Sequence, residues 1–173
     1  MIKVIEAFDD DFLEDYLLRE IGFTAGFHNS ILFYDYVVKD RLFKFILEYF
    51  NKNSIYIISG FNMKPYLNIT ENIYDILNID LDMDSCNNSI FDMYCNILDF
   101  KMINRQFHFL TYMDKLKSMI ITSLLSKNKV IVFDWTYSDD VIKCAEELMD
   151  KINTLGLFSD RVFIEFKKAS WHL

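Results

Sequence analysis

The 173-residue chain is 52% hydrophobic and 17% aromatic, enough for one domain with a real core and a composition that argues against disorder. Its net charge of −8, with no large lysine or arginine cluster, argues against a nucleic-acid partner. Four glycines and one proline leave little material for phosphate-cradling loops.

Met1 to Phe8 alternates as a strand does, and Leu18 to Phe27 is a second candidate. Ser30 to Asp35 (SILFYD) is a short apolar run that suits a buried strand. From Lys39 to Asn51, apolar residues at Leu42, Phe43, Phe45, Ile46, Tyr49 and Phe50 repeat at helical spacing. Ile55 to Ser59 reads as a strand bounded by Gly60. A helix then starts near Thr70-Glu71-Asn72-Ile73, with Asn68 or Thr70 as its cap. Asn78 to Asn104 is polar and helical in pieces. Tyr112 to Ser126 is predicted as a helix and Lys129 to Asp134 as a buried strand. Ser138 to Leu155 opens on Ser-Asp-Asp, reads as an amphipathic helix and stops at Gly156; Arg161 to Phe166 is the last strand. Strands alternating with helices imply an α/β fold with a mostly parallel sheet.

Few motifs carry chemistry. Cys86, Cys95 and Cys144 are odd in number without CxxC spacing, which reads as free thiols. His28, His108 and His172 lie far apart, without zinc-ligand spacing. Asp80, Asp82 and Asp84 begin a calcium-loop pattern, but Ser85 replaces its glycine and Phe91 its bidentate glutamate; a solvated acidic loop fits better. No metal or cofactor is expected. The N-terminus lacks a secretion signal and no run is long and apolar enough to span a membrane, so a cytoplasmic location is expected.

Three segments in order resemble an ABC-type ATPase, the nucleotide-binding domain of ABC systems. LLREIGFTAGFHNSILFYDYVVKDRLFKFIL resembles a strand pair, a strand entering the phosphate loop, and a helix. YIISGFNMKPYLNITENIYDIL resembles the stretch from the Q-loop through the xLTVxENL element. LTYMDKLKSMIITSLLSKNKVIVFDWTYSDD resembles the signature helix followed by the Walker B strand. The resemblance implies a single P-loop NTPase-like domain over 1–173. It also implies a mostly parallel sheet, N-terminal antiparallel strands and a reduced helical subregion at 78–110.

The same resemblance implies that the chemistry is missing. Lys39 falls at the P-loop lysine, but Tyr36 and Val38 hold glycine positions and Asp40 a Ser/Thr position. Ser59 stands for the Q-loop glutamine. Thr111, Tyr112, Met113 and Asp114 replace the Ser-Gly-Gly-Gln signature. Asp134 keeps the Walker B acid, but Trp135 stands where a glutamate would activate water. Phosphate loops need backbone N–H groups turned inward, a conformation costly for Tyr36 and β-branched Val38.

The expectation is a non-catalytic protein that works through a protein partner, as a homo- or heterodimer. That partner would be an ABC ATPase subunit, a permease or a peptide-modifying enzyme of a bacterial peptide export, immunity or maturation system. Such a partner would bring it to a membrane. Two alternatives stay open: a binder or enzyme using Lys39 and Asp134 on another phosphate-bearing ligand, and a small all-helical viral immune-evasion protein.

Overall fold

The computed structural model describes residues 2–7, 25–26, 28–50, 55–58, 63–79, 85–134 and 139–169. Among the described residues, five strands carry the fold: β1 (Ile2–Ala7), β2 (His28–Phe33), β3 (Ile55–Ile58), β4 (Val130–Asp134) and β5 (Val162–Lys168). Five helices accompany them: α1 (Tyr36–Tyr49), α2 (Ile69–Leu77), α3 (Ser85–Ile97), α4 (Tyr112–Leu125) and α5 (Asp139–Thr154).

The strands form one sheet in the order β1-β2-β5-β4-β3, and all four pairings are parallel. This corrects the expectation of antiparallel N-terminal strands: β1 runs parallel to β2. The chain between Ala7 and His28 is longer than the roughly twelve residues a parallel crossover needs, so no hairpin is imposed. The second strand expected at Leu18 to Phe27 lies largely outside the described residues. A five-stranded parallel sheet also overturns the all-helical alternative.

Side-chain alternation divides the core into two layers. On one face, Ile31, Phe33, Val130, Val132, Val162, Ile164 and Phe166 pack under α1, whose buried residues Val38, Leu42 and Ile46 recur every four positions. On the other, Tyr56, Ile131, Phe133 and Phe163 pack under the remaining helices.

Helix α4 is the centre of that second layer, buried at Leu116 and continuously from Ser118 to Leu124. Its buried hydroxyls are satisfied internally: Ser118 donates to the Lys115 carbonyl (2.7 Å), Thr122 to Ser118 (2.8 Å) and Ser123 to Ile120 (2.7 Å). Its last carbonyls are capped from a distance. Arg161, at the start of β5, donates from Nη1 to the Ser123 carbonyl and from Nη2 to that of Leu124 (2.7 Å).

Glycine scarcity shows at the helix ends. Helix α5 stops as expected near Gly156, at φ +63°, with Leu157 N–H reaching back to the Ile152 carbonyl. Elsewhere Asn78 (φ +53°) and Asp99 (φ +49°) take the left-handed positions that follow α2 and α3.

Candidate functional site

The C-terminal edge of a parallel sheet is where α/β proteins place ligands, in the crevice where successive connections leave for opposite faces. Here β2 feeds α1 on one face, while β4 feeds α5 on the other. The crevice therefore lies beside the ends of β2, β5 and β4, and of the sequence-predicted site residues Tyr36, Val38, Lys39, Asp40 and Asp134 follow or end these strands.

Just two residues, Tyr34 and Asp35, separate β2 from α1. Tyr36, Val38, Lys39 and Asp40 thus lie inside regular helix, not in a loop. Asp35 is the N-cap, and its carboxylate accepts from the Val37 N–H at 2.7 Å. An exposed helix start is a natural anion site; this one already holds the chain's own anion.

Lys39, at the expected P-loop lysine position, is buried at 5% exposure. Its Nζ lies 5.8 Å from the Phe33 ring centroid and 6.0 Å from that of Tyr36. Phe33 and Tyr36 touch each other at 5.4 Å, and Lys168 Nζ sits 4.9 Å from the Tyr36 ring. Lys168 is the register partner of Phe33, and Ala169 N–H continues the ladder to the Phe33 carbonyl (2.8 Å). Two tilted rings and the lysine side chains beside them occupy the end of β2.

Asp134 ends β4 level with Phe166 of β5, which is level with Ile31 of β2. At two strand spacings, Asp134 is about 10 Å across the sheet from β2, with β5 between. Ser59 and Trp135 lie outside the described residues, as do Asp80, Asp82, Asp84 and His172. Among the described residues, no group of three His, Cys, Asp or Glu could hold a metal ion. Cys95 is free and buried; burial first, then the charge of Asp92, pushes its thiol up to about 12, so it is no nucleophile.

The four signature positions open α4. Thr111 is its N-cap: the Thr111 hydroxyl accepts from the Asp114 N–H (3.2 Å) and donates to the Asp114 carboxylate (2.7 Å). Tyr112 and Met113 are half-buried between them, packed on the core. The pattern is a capping pair, with an acid in the first turn.

The segment LNITEN proves structural. Asn68 caps α2 in a complete capping box with Glu71. Asn72, fully buried, accepts from Lys64 N–H (2.6 Å) and donates to the carbonyls of Lys64, Leu67 and Asn68 (3.0–3.1 Å). The loop it ties down docks on the 103–110 segment, where Phe107 N–H donates to Leu67 and His108 N–H to Pro65. An exposed aromatic group results: Tyr66 (75%) and Phe109 (62%) flank His108, whose Nδ1–H also donates to the Pro65 carbonyl (2.7 Å). Sequence reading singled out neither Asn72 nor this group; the exposure of single aromatics has no sequence signature.

A polar cluster away from that edge was missed as well. Glu165 interrupts the apolar run of β5 and is 1% exposed, 3.2 Å from His28 Nε2 and 3.1 Å from Lys167 Nζ. Burial alone would raise its pKa, but His28, Lys167 and the Ser30 hydroxyl together outweigh that and hold it below the ordinary 4.5. A depressed carboxylate contributes stability that is present above its unfolded pKa and lost as pH falls through the folded one. Denaturant titrations at pH 7 down to pH 3 should therefore show a stability loss beginning near 4.5, shallower in Glu165→Gln. Identical acid limbs would refute this.

The fold these elements define is that of the ABC transporter ATP-binding cassettes. MJ0796, a bacterial ABC transporter cassette solved as a dimer, is 13% identical over 85% of this chain and 77% of its own, with a TM-score of 0.59. CbiO1 from Clostridium perfringens, part of the ABC transporter complex CbiONQ, is 15% identical over 87% of this chain and 70% of its own, with a TM-score of 0.63. At such identities the likeness is one of fold. No protein-family model matches the chain, and no curated protein matches it in sequence.

Proposed function

We propose that this chain is a non-catalytic ABC ATPase-like protein that acts by binding a protein partner. The observation that carries the reading is the helix start after β2, where the Asp35 carboxylate takes the Val37 N–H and Phe33, Tyr36, Lys39 and Lys168 cluster beside it. A nucleotide phosphate there would meet a carboxylate instead of free N–H groups, and a lysine held among rings. The capping pair Thr111–Asp114 closes the second helix start in the same way.

Fold neighbours point to the partner class: one is a dimeric cassette, the other part of a transporter complex. We assign this chain the role of accessory subunit to an ABC ATPase, a permease or a peptide-modifying enzyme in a bacterial peptide export, immunity or maturation system. Exposed aromatics such as Tyr66 and Phe109 are the residue type that anchors protein interfaces. No helix among the described residues is long and apolar enough to cross a membrane, so membrane attachment would come through that partner.

Calorimetric titration with ATP and Mg²⁺ tests the reading. The expected result is no saturable heat, meaning a Kd weaker than about 1 mM. Micromolar binding, or phosphate release above background, would overturn it.

A further inference from the structure

We propose that the cavity between α5 and the β2–β5 pair binds a small organic cation, a primary ammonium or guanidinium with an oxygen acceptor beside it. This site is separate from the phosphate-loop position and does not depend on the function proposed above.

The cavity has a volume of about 260 Å³. Its floor is a polar patch of sheet, where His28 and Ser30 on β2 lie beside Glu165 and Lys167 on β5. Its wall is one stripe of α5, in which Glu146, Asp150 and Asn153 recur at spacings of four and three. Both surfaces depart from the pattern around them. Two residues before Glu165 on the same face, Phe163 stacks on Phe158 (4.8 Å) in the ordinary apolar layer. Buried charge in a sheet interior is costly, and such departures from local consistency concentrate at functional sites.

Charge selects the ligand. Three carboxylates, Glu146, Asp150 and Glu165, face one ammonium, that of Lys167. Lys167 is already engaged with Glu165 (3.1 Å) and Glu146 (3.4 Å), while Asp150 has no ion-pair partner among the described residues. The unmatched charge is negative and calls for a cation.

A second observation is independent of charge. His28 is buried, and Asn153 Nδ2 donates to its Nδ1 at 2.9 Å, so Nε2 carries the hydrogen. That Nε2–H lines the cavity; Glu165 Oε1, at 3.2 Å, attracts it electrostatically but lies off the bond direction, which leaves the hydrogen-bond position itself open. A buried donor of this kind is matched by an acceptor oxygen on a ligand. Ammonium plus neighbouring oxygen is the pattern of an amino alcohol or an amino-acid amide. The volume is below the roughly 300 Å³ at which drug-sized pockets begin, so one small molecule or one side chain fits.

Calorimetry on the full chain in physiological salt, with ethanolamine and glycinamide as probes and acetate as control, tests the site. Saturable binding of at least one amine and none of acetate is expected. Asp150→Asn and Glu146→Gln, both at exposed positions whose change spares the fold, should each weaken binding about tenfold. An acetyl-Gly-Lys-Gly amide that binds more tightly than the free amines assigns the site to a partner's basic side chain; weaker binding assigns it to a free amine. Absence of saturable heat with all three cations, or unchanged affinity in Asp150→Asn, overturns the proposal.

Discussion

Arg161→Ala is expected to lower the unfolding free energy by about 4 kcal/mol, the largest effect of any single truncation considered. Arg161 is 9% exposed and reaches from the start of β5 to the end of α4, where its two Nη groups bind the carbonyls of Ser123 and Leu124. Hydrogen bonds from a charged donor contribute about 1.5–3 kcal/mol each, and the Leu124 carbonyl left behind would lack a partner, while that of Ser123 keeps the Ser126 hydroxyl (2.7 Å). A cation at a helix C-terminus also opposes the helix dipole. Arg161→Lys should recover less than half of the loss, because an ammonium cannot place two fixed donors on two carbonyls. Urea denaturation followed by circular dichroism measures both variants. A loss below about 1 kcal/mol in Arg161→Ala would show that water replaces the cap.

Asn72→Ala should cost about 3 kcal/mol. Four hydrogen bonds leave with the side chain, stranding Lys64 N–H, while the carbonyls of Lys64, Leu67 and Asn68 each keep one backbone N–H donor. The loop lies near the surface, so partial rehydration keeps the cost below the sum of four buried bonds. Local consequences should exceed the global one. Amide hydrogen exchange at Lys64, Phe107 and His108 is expected to accelerate far more than exchange in β4 or β5. Uniform acceleration across the chain would mean that Asn72 supports only overall stability.

The elements with long apolar periods were legible in the sequence. Tyr112 to Ser126 and Lys129 to Asp134 were placed within a residue of α4 and β4, and Gly156 marked the end of α5. The helix start was legible as far as Asn68 or Thr70, and the cap is Asn68, in a capping box with Glu71. What periodicity could not reveal was long-range hydrogen bonding. Arg161 and the end of α4 are far apart in sequence, and an arginine opening a strand reads as surface. Lys39 shows the same limit: its charge suggests solvent, while the rings around it arise from the turn between β2 and α1. Glu165 lies within the expected strand RVFIEF, and its partner His28 enters only through the pairing of β2 with β5. The expected antiparallel strands at the N-terminus came from the family resemblance, and the pairing of β1 with β2 is parallel.

Strand order has one more implication, for synthesis. β1 pairs with β2 and β3 with β4, but the two pairs meet only through β5, the last of the five strands along the chain. A nascent chain that has emerged through Asp134 owns two half-sheets and no seam. Arg161 arrives with the same segment, so the cap on α4 and the joining of the halves come together. Until then, strand edges and apolar faces stand open, the state in which a chain is most exposed to aggregation. Ribosome-stalled chains ending before Val162 should be protease-sensitive throughout, and extension through Lys168 should protect the whole domain in one step.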